Sequence, residues 1–148
     1  MLETQARTDA LLDRLQRGAF GYFLEECNPA NGLVADTSRA GSPVSIAVVG
    51  FALSCYPVAV ERGWMVRADA VGRTLAALRF FWNSVQDTAS DSTGHKGFYY
   101  HFLDMTTGRR ARTCANCRRS IAVSCSPACS MPRLFLVAMR KTNGKYDN

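Results

Sequence analysis

The spacing of apolar residues near the start of the chain predicts a helix over residues 8–26. Leu11, Leu15, Ala19 and Tyr22 recur at intervals of four, four and three positions, which places them on one face of a helix. Polar and charged residues fill the positions between them. The pattern therefore predicts an amphipathic helix whose apolar stripe packs on the rest of the protein.

A second helix is predicted over residues 43–55. Ser42 and Pro43 form a typical helix start, with a serine N-cap followed by proline at the first helical position. The run Ile46–Leu53 is apolar on nearly every side, which predicts a helix with neighbours all round it. Pro57 cannot donate a backbone hydrogen bond to the preceding turn, so we expect a break or kink just before it.

A third helix is predicted over residues 67–87, because a single apolar stripe runs its whole length. The stripe consists of Val71, Leu75, Leu78, Trp82 and Val85.

The segment that follows predicts a β-hairpin at roughly residues 97–112. Gly97–Leu103 is aromatic and β-prone, and Asp104–Gly108 has the composition of a five-residue turn with a late glycine. The predicted fold class is therefore all-α with one β-hairpin.

Composition narrows the class of protein. The chain has 148 residues, of which 47% are hydrophobic and 20% charged, as in an ordinary globular protein. No apolar run reaches the length of about 20 residues that a membrane-spanning helix needs, so no membrane partner is predicted. The N-terminus shows no signal peptide, which predicts a cytoplasmic location.

The net charge of +6 is concentrated at one end of the chain. Residues 1–111 carry 11 basic and 11 acidic side chains, whereas residues 112–148 carry seven basic and one acidic. The same end holds four of the six cysteines, which are Cys114, Cys117, Cys125 and Cys129. Their spacing resembles a four-thiolate zinc site, and the neighbouring Arg118 and Arg119 suit nucleic acid. A small basic zinc-binding module is thus one candidate function.

The aromatic segment is the other candidate for chemistry. On a strand, Tyr100 and Phe102 would face one side and Tyr99 and His101 the other. Aromatic rings with polar edges suit sugars, which present C–H faces and hydroxyl rims. The same residues also suit a core strand packed on helices, and the pattern alone favours that interpretation.

Asp36 lies in the loop between the first two predicted helices. Its carboxylate could accept a hydrogen bond from a ligand hydroxyl. An aspartate in such a loop more often caps a turn or the following helix, so both interpretations stay open.

Three segments together resemble bacterial glucoamylase-like proteins, a group that includes endo-β-1,2-glucanases. They are Asn31–Asp36, Ser45–Leu53, and Gly97–Asp104 with Gly108. The resemblance covers about residues 8–111. It implies an (α/α) toroid, of which this chain would supply an N-terminal part, and a glycoside hydrolase that acts on β-glucans without a cofactor.

The same resemblance bears on the site. It implies sugar contacts at Asp36, Tyr99, Tyr100 and His101, with no role for nucleic acid or a bound metal. Glycoside hydrolysis normally takes two carboxylates that flank the scissile bond, and no such pair is identified in this sequence. We therefore expect the chain to be inactive alone, and its all-apolar helix to favour non-specific self-association.

The resemblance ends abruptly near residue 114, so we divide the chain into residues 1–114 and residues 115–148. In the family, the hairpin is followed by a stretch similar to CELSTIDTALLLAG. Reading the codons of Ala115–Ile121 in a shifted frame, with common third bases, yields ELSTID. We interpret residues 115–148 as an out-of-frame tail, expected to be poorly ordered, which would account for both the charge and the cysteine cluster.

Overall fold

A computed structural model describes residues 2–111 and 123–124 of the chain. Within these residues the protein is mostly helical, with a small β component. The elements in chain order are α1 (Leu2–Glu25), β1 (Val44–Ser45), α2 (Ile46–Glu61), α3 (Arg67–Asn83), β2 (Gly94–His95), β3 (Phe98–Tyr99), β4 (Phe102–Leu103) and β5 (Val123–Ser124).

Helix α1 is confirmed but begins earlier than predicted, and most of its apolar stripe is exposed. Leu11 and Leu15 face solvent, with Leu15 57% exposed. Only the last turns reach the core, where Phe20 is buried and the Tyr22 hydroxyl donates a 2.7 Å hydrogen bond to the carbonyl of Ala35. The described residues therefore anchor α1 by its C-terminal end.

Helix α2 begins at Ile46, so the predicted start at Ser42 and Pro43 is wrong. Val44–Ser45 is instead extended and paired as strand β1, which competes with helix for these residues. The Ser42 hydroxyl accepts a hydrogen bond from the backbone of Thr37 in the preceding loop rather than capping the helix.

The helix does not break before Pro57, because α2 continues through it to Glu61. The proline removes one hydrogen bond from the helix ladder. Tyr56 and Ala59, on either side of it, are both buried, so packing holds the helix together there. Gly63, with φ +68°, lies in the turn that follows α2.

Helix α3 faces the core with a different side from the one that its apolar stripe predicts. Its buried positions are Ala70 and Ala77, whereas Trp82, in the predicted stripe, is 88% exposed. The small side chains are buried because the loop before α2 approaches closely. A Cβ added to Gly32, whose φ is +70°, would collide with the backbone of Ala77.

A narrow antiparallel layer lies at the centre of the described residues. β1 pairs with β4, with Val44 opposite Leu103, and single bridges extend the layer to Ala35 on one side and Arg110 on the other. Leu33, Val34, Val44 and Leu103 in this layer are 0% exposed. We call the segments 27–35, 44–45 and 102–111 the central layer.

The predicted hairpin is confirmed at its turn and wrong at its first strand. Leu103 bridges Arg110, and the amide of Gly108 donates to the carbonyl of Asp104 across the turn. Gly97–Leu103 does not form one strand. It divides into β3, which pairs with β2 and β5, and β4, which pairs with β1.

The segment divides between β3 and β4 because the backbone carbonyl of His101 accepts a hydrogen bond from the amide of Ile46 at the start of α2. The aromatic segment thus crosses from one small sheet to the other.

No helix in the described part of the chain is long and apolar enough to cross a membrane. Apart from β5, the predicted tail over residues 115–148 lies outside the described residues.

Candidate functional site

Tyr99 holds β3 against helix α3. Its hydroxyl donates a 2.8 Å hydrogen bond to the backbone carbonyl of Phe81, and the two rings meet edge to face with centroids 5.0 Å apart. A phenol used in this way has its donor occupied by the protein. Of the predicted sugar contacts, Tyr99 is the one that the geometry assigns to structure.

Tyr100, the next residue, lies beside an open cavity of about 420 Å³. The Arg110 guanidinium carbon lies 4.2 Å from the centroid of its ring, within the range of a cation–π interaction. His95, Lys96 and Phe98 line the same cavity. The result is an aromatic surface with basic and imidazole groups at its edge, a combination that can bind the face and the hydroxyls of a sugar.

The turn between β4 and Arg110 positions that guanidinium. The Asp104 carboxylate accepts hydrogen bonds from the amides of Thr106 and Thr107 and from the Thr107 hydroxyl. The hydrogen bonds from Thr107 hold the pKa of Asp104 below its usual value. The charged form of Asp104 therefore stabilises the turn that places Arg110 over Tyr100.

His101 is held by the start of α2. Its Nε2 atom lies 3.3 Å from the Ser45 hydroxyl oxygen, and its ring meets Phe102 edge to face with centroids 4.5 Å apart. Ser45 is buried, so the hydrogen bond fixes the orientation of a half-buried imidazole. Sequence reasoning predicted His101 but gave no indication of Ser45 as its partner.

Asp36 lies at the other end of the central layer. Its amide donates to the carbonyl of Pro43, whereas the carbonyl of His101 accepts from Ile46, three residues further along the chain. Three extended residues span about 10 Å, so the structure does not bring Asp36 and His101 into contact. The Asp36 side chain is exposed.

Tyr22 lies near that end, with its hydroxyl on the carbonyl of Ala35. Burial raises the pKa of the Tyr22 phenol, and the neighbouring Glu26 and Asp36 carboxylates raise it further. The two carboxylates make this end of the layer acidic, in contrast to the basic surroundings of Tyr100. The predicted site residues therefore belong to two separate places.

Sequence reasoning missed His95, Lys96 and Phe98 as a group. Residues 88–96 have the composition of a polar loop, and nothing in it signals that β2 pairs with β3 to form one wall of a cavity. The one available signal is the pair of residues Lys96–Gly97, which follow each other with positive φ values of 50° and 83° and form the tight turn between the two strands.

The zinc hypothesis is not tested by the structure, since Cys114, Cys117, Cys125 and Cys129 lie outside the described residues. Over residues 2–111, no group of three or more histidine, cysteine or acidic side chains is arranged to hold a metal ion. Cys27 and Cys55 in this region are free thiols. Burial raises the pKa of the Cys55 thiol.

Comparison with curated proteins gives one informative relative. Over 102 residues the chain is 26% identical to an exo β-1,2-glucooligosaccharide sophorohydrolase (non-reducing end) of Parabacteroides distasonis. The match covers 68% of this chain and 13% of that protein. No protein-family model matches the chain.

Solved structures give the same family. A candidate glucoamylase of Bacteroides uniformis superposes with a TM-score of 0.60 at 26% identity, over 72% of this chain and 24% of that one. The endo-β-1,2-glucanase of Chitinophaga pinensis, in complex with sophorotriose and glucose, shares the fold with a TM-score of 0.59 at 18% identity, over 76% of this chain and 27% of the enzyme. The chain thus spans about a quarter of these structures. The resemblance to bacterial glucoamylase-like glycoside hydrolases is confirmed.

Proposed function

We propose that this chain is one part of a glucoamylase-like glycoside hydrolase domain that acts on β-linked glucan oligosaccharides. The observation that carries the proposal is the agreement of two comparisons. The sequence match to the sophorohydrolase and the superposition on the candidate glucoamylase each cover about 70% of the chain. The substrate class comes from the sophorohydrolase, which is named for β-1,2-linked glucooligosaccharides.

The corresponding fold is an (α/α) toroid, of which α1, α2 and α3 would be three helices. The exposed apolar residues support this proposal, because each described helix presents large apolar side chains to solvent. In a toroid, neighbouring helices cover such faces. The residues concerned are Leu11, Leu12 and Leu15 on α1, Phe51 and Val58 on α2, and Val71 and Trp82 on α3.

Within this domain the described residues would contribute substrate contacts rather than the acid and base. Tyr100 and Phe98 offer ring faces on the same cavity, and His101 presents an imidazole fixed by Ser45. Asp36 would contact a sugar only at a separate position, given its distance along the central layer. Tyr99 would support Tyr100 through its hydrogen bond to α3.

The two carboxylates that hydrolysis requires would come from other segments. A glycosidase holds them about 5–9.5 Å apart, depending on whether the anomeric configuration is retained or inverted. The cavity beside Tyr100 is lined by no acidic residue among those that the structure describes. The chain alone would therefore bind sugar weakly and leave the glycosidic bond intact.

We also propose that residues 115–148 are translated out of frame. The charge and the cysteine content both change at this point in the sequence. Sequencing the gene around codon 114 tests this part directly. A single-base insertion or deletion relative to the relatives would support it, and an uninterrupted frame that aligns with no relative would contradict it.

The test of function compares the purified chain with a longer version, in which the frame is restored and the downstream sequence is added. The measurement is reducing-sugar release from β-1,2-glucan. We expect release by the longer version only, reduced by Tyr100→Ala. Release by the short chain that is abolished by Asp36→Ala or Tyr100→Ala would show that the catalytic groups lie within residues 2–111.

A further inference from the structure

A second cavity, of about 540 Å³, lies between α3 and the turn that follows β4. It shares no lining residue with the cavity beside Tyr100. Polar groups from three segments meet there. They include Asn31 from the loop before α2, Arg79 and Asn83 from α3, and Thr107 and Arg109 from the turn.

The charge of this cavity is positive. Arg79 and Arg109 both line it, and no acidic residue does. One nitrogen of Arg109 is in an ion pair with Asp91, and its guanidinium has further N–H groups. Arg79 makes no hydrogen bond or ion pair with any described residue, and neither does the side-chain amide of Asn83. The cavity therefore contains hydrogen-bond donors that the protein itself leaves unused.

The remaining polar side chains of the cavity are already occupied. The Asn31 amide donates to the carbonyl of Met105 at 3.0 Å and its oxygen accepts from the amide of Leu33. The Thr107 hydroxyl donates to Asp104. These bonds fix the loop and the turn that form two walls of the cavity. The unused donors of Arg79 and Asn83 lie on the third wall, which is helix α3.

The floor of the cavity is tightly packed. Gly108, with φ +66°, lies so close to the Phe80 ring that a Cβ there would collide with it. The Thr93 hydroxyl fixes the same glycine by donating a 2.9 Å hydrogen bond to its carbonyl. Phe80 therefore offers one apolar surface beside the cationic groups.

We propose that this cavity binds an oxyanion group, carboxylate or phosphate, carried by a polyhydroxylated ligand of about monosaccharide size. Arg79 is the principal contact, with Arg109 and Asn83 as further donors. Guanidinium groups bind both kinds of oxyanion through paired N–H donors, which makes these bonds stronger than those between neutral groups. The Phe80 ring would contact the carbon skeleton. The inference stands on this cavity alone and does not depend on the proposed glycosidase function.

The test is a binding titration of the full chain, followed by calorimetry or by NMR chemical shifts. The probes are glucose 6-phosphate, glucuronate, inorganic phosphate and glucose. We expect the two acidic sugars to bind saturably, glucose to bind much more weakly, and the affinity to fall as salt is added. Inorganic phosphate that binds as tightly as glucose 6-phosphate would contradict the polyhydroxylated part of the proposal.

Two variants assign the binding to this cavity. Arg79→Gln should weaken glucose 6-phosphate binding by about tenfold, the effect of losing one charge-assisted hydrogen bond. Arg14→Gln, on the exposed part of α1, is the matched control and should leave the affinity unchanged. The proposal is overturned if Arg79→Gln binds as the parent chain does, if Arg14→Gln weakens binding equally, or if neither acidic sugar binds.

Discussion

The central layer and the outer faces of the helices differ in how their apolar residues are used. In the central layer, the core is made by apolar side chains on short segments, of which Leu33, Val44 and Leu103 are 0% exposed. On the outer faces of the helices, large apolar side chains such as Leu15, Phe51 and Trp82 face solvent. The contrast shows that each helix packs on the core with one face only, and that its outer face is left uncovered by the described residues.

Different forces act in the two regions. The central layer combines burial with backbone pairing between segments far apart in sequence, such as Val44 with Leu103 and Ser45 with Phe102. Most of α1 has only its own helical hydrogen bonds, which give little stability in water without tertiary packing. Substitutions of buried residues in the first region should therefore have large effects, and substitutions of exposed residues small ones.

Gly32→Ala should produce the largest effect. A methyl group there collides with the backbone of Ala77, and φ is +70°. Strain and collision together should lower the free energy of unfolding by about 4 kcal/mol, measured by denaturant unfolding. Gly41→Ala is the matched control, with φ +75° and no neighbour within 4 Å of the added carbon, and it should cost about 1 kcal/mol. Equal losses of stability in Gly32→Ala and Gly41→Ala would show that the collision with Ala77 is not the cause.

Leu103→Ala tests burial in the central layer. Removal of this fully buried side chain should cost about 3 kcal/mol through lost apolar burial and the cavity left behind. Leu15→Ala, on the exposed part of α1, should change stability by less than about 0.5 kcal/mol. A large loss at Leu15 would indicate that α1 is packed on residues that the structure does not describe.

Tyr99→Phe compares two neighbouring phenols. It removes the hydrogen bond to Phe81 and should cost about 1 kcal/mol in thermal or denaturant unfolding. Tyr100→Phe removes a hydroxyl that makes no hydrogen bond with the described residues, so stability should stay the same. A larger loss of stability from Tyr100→Phe than from Tyr99→Phe would show that Tyr100, and not Tyr99, supports the fold.

Asp104 should give the smallest effect, and one that depends on pH. Because its pKa is lowered in the folded protein, its stabilisation is present above the unfolded value of about 3.8 and is lost as pH falls through the folded value. Asp104→Ala should lower stability by less than about 1 kcal/mol at pH 7, since the carboxylate is exposed, and by nothing near pH 2. Asp36→Ala is the matched exposed control. If the stability difference between Asp104→Ala and the parent chain persisted unchanged at pH 2, the charge of Asp104 would be excluded as its source.

The sequence predicted the existence of the three helices and the turn at Asp104–Gly108, because both depend on local spacing and turn residues. It did not predict which helix face is buried. In α3 the close approach of Gly32 selects Ala77 over the larger Leu78 and Trp82, and no helical pattern contains that information. The start of α2 was misplaced for a similar reason, since pairing with β4 keeps Val44 and Ser45 extended.

Part of the candidate site was also predictable from the local sequence. The aromatic segment identified Tyr100 and His101, which lie beside a cavity and against Ser45 respectively. The sequence could not separate Tyr99 from them, because its role depends on a carbonyl of α3. It grouped Asp36 with them, although long-range pairing places that residue at the other end of the central layer.

Hydrogen exchange followed by mass spectrometry tests the central claim most directly. The short chain would be compared with the longer version in which the frame is restored. We expect the amides of Ala35, Ile46 and Ala111 to exchange slowly in both, because each is hydrogen-bonded in the central layer or directly beside it. The amides in the first turns of α1 should be protected only in the longer version. Equal protection of α1 in both proteins, or fast exchange of the central layer in the short chain, would contradict the account.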